Sequence, residues 1–367
     1  MNQLLNRIHG CEAAGTIANA MGDPVEGWSW QKIEQEYGFF DQFLAQDKPE
    51  RVRPQVRGIP WHYHAHHRVP GTTEDGMERH KLCTSAILKK GGRITIEDLA
   101  EVWVSEVDPE KIGYLMTSQD LVIYTQILHG VPPWEVGRNA SWPTFIGTTK
   151  MIQPVGMVNA CNPRQAGQDA FELGLIKDVR GTRGNYALEV CAGVAAGTAE
   201  AIRPGATTAS VIDTVLSYLT KEPLAEVTEG LDRARAADSW KDLRPYYAER
   251  YEGSRPSNAV EVLSGALACF YLADGQPKNA ILYAINLGRD TDCKAYVAGG
   301  MAGALRGIDA LPAEWVDVVD EAARAEKWSV SNRTTGEAAE GVCGAAVNEL
   351  EKMKGVAEEI GSLLSGQ

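Results

Sequence analysis

Two short acidic clusters, far apart in the chain, carry the residues best suited to chemistry. Asp290 and Asp292 flank Thr291, and Glu74 and Asp75 follow a pair of threonines. Carboxylates this close repel each other unless a cation or a proton lies between them. Hard divalent cations such as Mg²⁺ prefer such oxygen ligands. The two clusters therefore predict one site that the fold closes around.

Each cluster also has a simpler interpretation as the start of a helix. Residues 290–292 precede an alanine- and glycine-rich run at 295–304, and residues 73–75 precede a helix-like run at 78–88. Aspartate and threonine are favoured helix caps, and acidic side chains stabilise a helix N-terminus. Two such caps brought together could also supply ligands for a pair of ions about 3.5–4 Å apart. Capping and metal binding therefore remain open for both clusters.

Composition excludes several classes of protein. The chain has 367 residues and a formal net charge of −13, which argues against a broad nucleic-acid surface. No apolar run approaches the roughly 20 residues that a membrane helix needs, and the first residues lack a signal-peptide pattern. The cysteines are scattered and odd in number, which fits reduced thiols. We therefore expect a cytoplasmic protein with neither nucleic-acid nor membrane partners; composition gives no indication of oligomeric state.

Helix signals recur along most of the chain, whereas sustained β-branched alternation is almost absent. Ser118 and Ser257 are among the expected helix starts. Residues 22–76, rich in Trp, Pro, Gly and His, are predicted to be irregular. No Pro/Gly/Ser-rich linker divides the chain, so we predict an all-α fold with a single domain over residues 1–367. The predicted helices cover residues 3–21, 78–88, 95–104, 120–128, 162–176, 186–202, 207–219, 259–272, 277–286, 292–305, 312–325 and 338–364.

Three stretches carry a resemblance to a known family. They are residues 15–27 (GTIANAMGDPVEG), residues 73–75 (TED), and residues 288–293 (GRDTDC) with the alanine-rich run and the Pro312–Trp315 segment that follow. Together they resemble the ADP-ribosylglycohydrolase family, which includes dinitrogenase-reductase-activating glycohydrolase and the vertebrate ADP-ribosylhydrolases. The matches extend from residue 10 to about residue 320, which is most of the chain.

The resemblance implies a single compact orthogonal helical domain with two Mg²⁺ ions at the mouth of a cleft. It also implies hydrolysis of an N- or O-glycosidic bond at ribose C1 by a metal-positioned water. Glu74 or Asp75 would act as the general base or stabilise the oxocarbenium-like state. The metal ligands that carry over from the family are Thr73, Glu74, Asp75, Asp290, Asp292 and Cys293.

The chain departs from the family pattern at three places. Glu74 stands where the family has aspartate, and Cys293 stands where it has a hydroxyl residue. A thiol suits Mg²⁺ poorly, so a single ion, Mn²⁺ or another divalent metal is the alternative to two Mg²⁺ ions. The family's frequent Thr-His pair is replaced by residues 179–185, where Arg180 and Arg183 either bind a substrate phosphate or are solvated loop charges. Cys293 as a nucleophile is disfavoured because no histidine lies near it in sequence.

Two further segments are candidates for substrate binding. In the histidine-rich tract at 62–67, His62 and His64 are predicted to line the pocket, with a polar loop or a transition-metal site as alternatives. Asp23, which follows a glycine, could accept a ribose hydroxyl or orient a metal-bound water, or simply form a turn. The aromatic residues that could stack on a base, or only pack in the core, are Trp28, Trp30, Trp61 and Tyr63.

These observations predict a metal-dependent hydrolase of a ribosyl linkage. Its substrate would be a ribosylated protein or small molecule, such as an ADP-ribosyl conjugate. A small-molecule N-ribosyl or nucleoside hydrolase is one alternative. The other is a non-catalytic protein that retains the fold, as the lens crystallins of this family do.

Overall fold

The fold is all-α, as the sequence predicts. A computed structural model describes residues 2–54, 60–139, 142–179 and 184–365. Arg180 and Arg183, which were candidates for phosphate binding, lie outside the described residues. The extent of the single domain, residues 1–367, stays a prediction.

Helices account for most of the described chain, and four short strands form a small appendage near the N-terminus. The strands are β1 Gln46–Lys48, β2 Arg51–Pro54, β3 Pro60–Tyr63 and β4 His66–Arg68. The helices are α1 Gln3–Gly22, α2 Trp30–Tyr37, α3 Asp75–Lys90, α4 Ile96–Glu106, α5 Ser118–Leu128, α6 Pro133–Val136, α7 Gln153–Val158, α8 Pro163–Gly174, α9 Ala187–Ala201, α10 Thr208–Leu216, α11 Lys221–Ala236, α12 Leu243–Arg250, α13 Ala259–Leu272, α14 Pro277–Asn286, α15 Thr291–Arg306, α16 Ala313–Ala325 and α17 Thr335–Ser365.

Helices α1 and α15 form the centre of the fold, and both are buried over most of their length. Their alanines and glycines let the two backbones approach closely. At the end of α1, a Cβ on Gly22 would lie 2.5 Å from the Asp292 Cα atom. The Thr291 hydroxyl donates a hydrogen bond to the Gly22 carbonyl at 2.8 Å. Close packing of small residues therefore holds the start of α15 against the end of α1.

The prediction that residues 22–76 are irregular is wrong. This segment contains α2, which Ser29 caps, and two antiparallel strand pairs, β1 with β4 and β2 with β3. The strands are only three or four residues long, so they show too little alternation for sequence periodicity to detect. Asp23 anchors the β1–β4 pair through ion pairs to Lys48 and Arg68.

Two predicted helix starts are displaced by one residue. Thr117 rather than Ser118 caps α5, and Asn258 rather than Ser257 caps α13. In both cases a neighbouring residue offers an equally good capping side chain, and the tertiary path of the chain selects between them. Helices α11 and α12 were not predicted. Within the described residues, no helix is both long and apolar enough to cross a membrane.

Candidate active site

The two acidic clusters meet, and both are helix caps. Glu74 is the N-cap of α3, and its carboxylate accepts a hydrogen bond from the Gly76 amide at 3.1 Å. Asp290 is the N-cap of α15, and its Oδ1 atom accepts from the Cys293 amide at 3.1 Å. Capping and site formation are therefore compatible: Glu74 Oε1 accepts from Lys150 as well as from Gly76, and Asp290 keeps its second oxygen free of the cap.

Lys150 and Asn19 join the clusters. The Lys150 ammonium, on a 3₁₀ turn at Ile146–Met151, forms buried ion pairs with Glu74 Oε1 and Asp292 Oδ2. The Asn19 amide, on α1, donates to the same two oxygens at 2.7 and 3.2 Å. Burial opposes the charge on Lys150, but the carboxylates of Asp292 and Glu74 raise its pKa well above the usual value. Two carboxylates from opposite ends of the chain thus share one internal cation.

Glu74 and Asp75 are neighbours whose pKa values shift in opposite directions. Burial, followed by the charge of Asp75, raises the pKa of Glu74 well above its usual range. Burial also acts on Asp75, but the Arg79 guanidinium, 2.6 Å away, outweighs it and holds the pKa of Asp75 well below its usual value. Arg79 is held in turn by Asp120 at 2.6 Å. Of the pair, Asp75 is therefore the ionised member and Glu74 takes up a proton first.

On the Asp290 side of the site, two carboxylate oxygens lack a cationic partner among the described residues. The Asp290 Oδ2 and Asp292 Oδ1 atoms are buried and have no hydrogen-bond partner among the described residues. Asp290, Asp292 and Cys293 each offer a ligand atom within 4.8 Å of the others. Burial, with Asp290 adding to it, raises the pKa of Asp292 to about 7 despite Lys150. Unpaired buried carboxylate oxygens at this spacing fit one divalent cation.

Cys293 is poorly suited to be either a nucleophile or a ligand of a hard cation. Burial raises the pKa of its thiol well above the usual value, and the nearby Asp290 and Asp292 charges add to that effect. The sulfur lies 3.7 Å from Asp292 Oδ2. The thiol therefore stays protonated unless a soft metal binds it.

A cavity of about 160 Å³ opens beside the joined clusters. Its wall combines acidic, cationic and aromatic side chains. Among the lining residues are Glu26, Glu74, Asp75, Asp292, Lys150, Lys177, Arg255, Trp142 and Phe145.

Glu26 is a carboxylate of this site that sequence reasoning missed. It lies just after α1 and lines the cavity. Its pKa is raised well above the usual range, first by the charge of Asp292, then by burial and by the charge of Asp290. Because the residue as a whole is exposed, we attribute the shift to the neighbouring charges. The quoted family stretch at residues 15–27 contained Glu26, but nothing in its local spacing distinguished it.

Asp23 was a candidate substrate ligand, yet its carboxylate is already engaged. It pairs with Arg68 at 3.0 Å and Lys48 at 3.3 Å, and it accepts a hydrogen bond from the Gln46 amide. Burial opposes these contacts, but together they lower the pKa of Asp23. The residue therefore fastens the β1–β4 strand pair beside the site.

Three other predicted site residues, Thr73, His62 and His64, are not among the described residues that line this cavity. The Thr73 hydroxyl lies 3.5 Å from Lys81 Nζ and lines a separate cavity of about 30 Å³. His62 is exposed on β3, and the His64 ring packs on Tyr114 with centroids 4.7 Å apart. Neither histidine is among the described residues that line the 160 Å³ cavity.

Aromatic and cationic wall residues were also missed. Trp142 and Phe145 line the cavity, whereas Trp28, Trp30, Trp61 and Tyr63 are not among its described lining residues. Lys150 offered one usable signal, since it is the only charged residue in the otherwise uncharged run of residues 145–162. A lysine is almost never fully buried unless it is paired, so a lone lysine in such a run is a candidate for an internal ion pair.

The fold and the site define an all-α protein whose carboxylate site is assembled from two helix N-termini. The family model for ADP-ribosylglycohydrolase matches residues 1–346, and the chain belongs to that family. The family consists of glycohydrolases that act on ADP-ribosyl conjugates, and its members generally depend on a divalent metal.

Individual relatives are distant. Over 77 residues the chain is 29% identical to an ADP-ribosyl-[dinitrogen reductase] glycohydrolase from Rhodospirillum rubrum, a match that spans 21% of this chain and only 26% of that protein. An uncharacterized protein from Archaeoglobus fulgidus is 25% identical over 324 residues, covering 85% of this chain and 90% of that one. A solved structure titled ADP-ribosylglycohydrolase-related protein complex has a TM-score of 0.60 at 17% identity, with 94% of this chain and 99% of that chain covered. At that identity the likeness shows the fold alone.

Proposed function

We propose that this protein hydrolyses the glycosidic bond at ribose C1 of an ADP-ribosyl conjugate. The observation that carries the proposal is the cavity in which Glu74, Asp75 and Asp292 lie beside aromatic and cationic side chains. Hydrolysis at a sugar C1 needs an ionised carboxylate that can act as a base, and Arg79 supplies one by lowering the pKa of Asp75 despite its burial.

Asp75 is the proposed general base. Arg79 keeps it ionised, and the 22% exposure of its side chain leaves room for contact with a water in the cavity. The bond between C1 and the leaving group breaks with positive charge developing on the ribose ring, and the water oxygen bonds to C1. Asp75 accepts the proton of that water and passes it to the departing group. The carboxylates of Asp292 and Glu26, which also line the cavity, stabilise that charge.

The aromatic and cationic side chains of the cavity suit the rest of an ADP-ribosyl group. Trp142 and Phe145 offer ring faces for adenine, and Arg255, which lies over the Phe145 ring at 4.7 Å, can bind a diphosphate oxygen. Burial lowers the pKa of Lys177 to about 8, so this cavity lysine is still largely cationic at neutral pH. These assignments replace the histidines as the proposed substrate contacts.

Asp290 and Asp292 are the proposed ligands of a divalent cation. When bound there, the cation would supply Lewis acidity toward ribose hydroxyls and the attacking water. Mg²⁺ is the first candidate because the unpaired ligand atoms are oxygens. Mn²⁺, or a softer ion that tolerates Cys293, is the alternative.

The test is a hydrolysis screen with and without Mg²⁺, Mn²⁺ and Zn²⁺. The panel holds ADP-ribosyl-arginine, ADP-ribosyl-serine peptide, poly-ADP-ribose and simple nucleosides, and release of the free ribose species is measured. We expect turnover of an ADP-ribosyl substrate that Asp75→Asn reduces by about 10²–10⁴-fold. Asp213→Asn, an exposed carboxylate on α10, is the matched control and retains activity.

Turnover of nucleosides alone would replace the proposal with a small-molecule ribosyl hydrolase. One observation favours a second candidate, a non-catalytic member of the fold: Lys150 already pairs with both Glu74 and Asp292. For that candidate we expect no turnover on the full panel while the protein still binds free ADP-ribose by calorimetry.

A further inference from the structure

We infer that the ammonium group of Lys150 takes the place of one cation in this acidic site, so that the protein binds at most one divalent ion. The remaining ion would lie on the Asp290 side. The inference concerns the same site as the proposed function and relies on it only for the site's identity. Its test measures metal binding without turnover.

The first support is the set of oxygens that Lys150 contacts. Its Nζ atom pairs with Glu74 Oε1 and Asp292 Oδ2, one oxygen from each acidic cluster. A divalent cation bound between the clusters through these two oxygens would occupy the place of the ammonium. Only 2% of the lysine side chain is exposed, so the ammonium is part of the site rather than a mobile surface group.

The second support is that the chain provides space for this lysine. A Cβ on Gly76 would lie 2.3 Å from the Lys150 Cε atom, 2.6 Å from Cδ and 2.9 Å from Nζ. Any side chain at position 76 would therefore displace the lysine stem. Gly76 directly follows Glu74 and Asp75, so the acidic cluster and the space for its internal cation are encoded side by side.

The third support is the contrast with the other side of the site. Asp290 Oδ2 and Asp292 Oδ1 are buried without a partner, and no lysine or arginine of the described chain contacts either atom. Asp292 thus gives one oxygen to Lys150 and keeps the other bare. This arrangement fits one internal cation and one external cation that share Asp292.

The experiment compares the metal stoichiometry of the wild type with that of Lys150→Met, which keeps an unbranched stem up to Cε but lacks the ammonium group. Mn²⁺ binding is measured by calorimetry, and coupling between neighbouring Mn²⁺ ions is measured by electron paramagnetic resonance. We expect at most one ion per wild-type chain, one additional ion in Lys150→Met, and spin coupling only where two ions are bound.

The matched control is Lys177→Met. Lys177 is a second buried lysine in the same cavity, but its ammonium bonds to the Gln119 amide oxygen rather than to the two carboxylates. Its replacement should leave the ion count unchanged. Gly76→Ala, which pushes the lysine stem aside without removing a charge, is the second test variant, and it should weaken the Lys150 bridge and admit the additional ion.

Two outcomes would overturn the inference. One is the binding of two spin-coupled Mn²⁺ ions by the wild-type chain. This outcome can be observed without any variant. The other is an unchanged ion count in both Lys150→Met and Gly76→Ala when circular dichroism shows at least one of them folded. An additional ion in Lys150→Met with no turnover by any form would support this inference while removing the proposed function.

Discussion

The starts of α3 and α15 carry the same kind of residue, yet their charges are balanced in different ways. At the start of α3, Glu74 is paired with Lys150 and Asp75 is paired with Arg79. At the start of α15, Asp290 and Asp292 each keep one buried oxygen without a partner among the described residues. The comparison indicates that each carboxylate at the start of α3, one half of the site, has a cationic partner within the protein, whereas the other half, the start of α15, keeps two oxygens free for the proposed cation.

The largest expected effect comes from the residue that both halves share. Asp292→Asn removes the charge of a carboxylate whose Oδ2 atom pairs with Lys150 and whose Oδ1 atom has no partner among the described residues. We expect kcat to fall by about 10²–10³-fold, because a cation held there supplies several kcal/mol of transition-state stabilisation. Metal affinity, measured by calorimetry, should fall as well. Full activity of Asp292→Asn without added metal would contradict the proposal that the start of α15 holds a cation.

The next prediction contrasts one residue from each half in metal-free buffer. Glu74→Gln should lower the free energy of unfolding by about 3 kcal/mol, because it breaks the buried ion pair between Glu74 and Lys150. The ion pair between Lys150 and Asp292 remains. Asp290→Asn should raise it by about 1–2 kcal/mol, because it removes an unpaired buried charge and retains a capping side chain. Urea unfolding measures both values. Equal destabilisation by the two variants would show that the halves are alike.

The two buried lysines of the cavity, one with carboxylate partners and one with an amide partner, extend the comparison to cations. Lys177 has an amide rather than a carboxylate as its ammonium partner, and burial lowers its pKa to about 8 from the usual 10.5. The unfolded state therefore binds more protons between these values, so the burial penalty is complete below pH 8 and disappears by about pH 10.5. Lys177→Met should be about 1–3 kcal/mol more stable than wild type at pH 7.

That stability advantage of Lys177→Met should shrink as the pH rises from 8 to 10.5, which a series of thermal melts measures. Lys150→Met, in contrast, should be less stable than wild type at pH 7, because it leaves two buried carboxylates without their cation. The same sign for both lysine variants at pH 7 would contradict the comparison.

The smallest predicted effect concerns Trp142, an aromatic residue that lines the same cavity. Trp142→Ala should raise KM by about 5–30-fold with little change in kcat, since stacking of a base on an aromatic ring contributes about 1–2 kcal/mol. Trp134→Ala, an exposed tryptophan outside the cavity, is the control. A loss confined to kcat would show that Trp142 supports the reacting groups rather than the base.

Local signals predicted much of the fold. Thr95 caps α4 with Asp98 in a capping box, Asn162 caps α8, and Pro277 begins α14. These features depend on neighbours a few residues apart, so the sequence displays them directly. The same holds for Glu74 and Asp290, whose capping roles and acidic character could both be read from their own short segments.

Residues whose role depends on distant partners were harder to predict. Asp23 was expected to face the substrate, but Arg68 and Lys48 in later strands engage it. His62 and His64 form a conspicuous tract, yet the strands turn them away from the described cavity wall. A strand of four residues leaves no periodicity that could reveal which way its side chains point.

The sequence by itself determined the helical class, the family and the two acidic helix starts, because capping, periodicity and short motifs are local properties. Only the tertiary structure decided how those acids are balanced. It brought Lys150 between Glu74 and Asp292, placed Glu26 beside them, and left Asp290 with an unpaired oxygen. Charge balance in a buried site depends on three-dimensional distance and on exclusion of water, and no spacing along the chain specifies either.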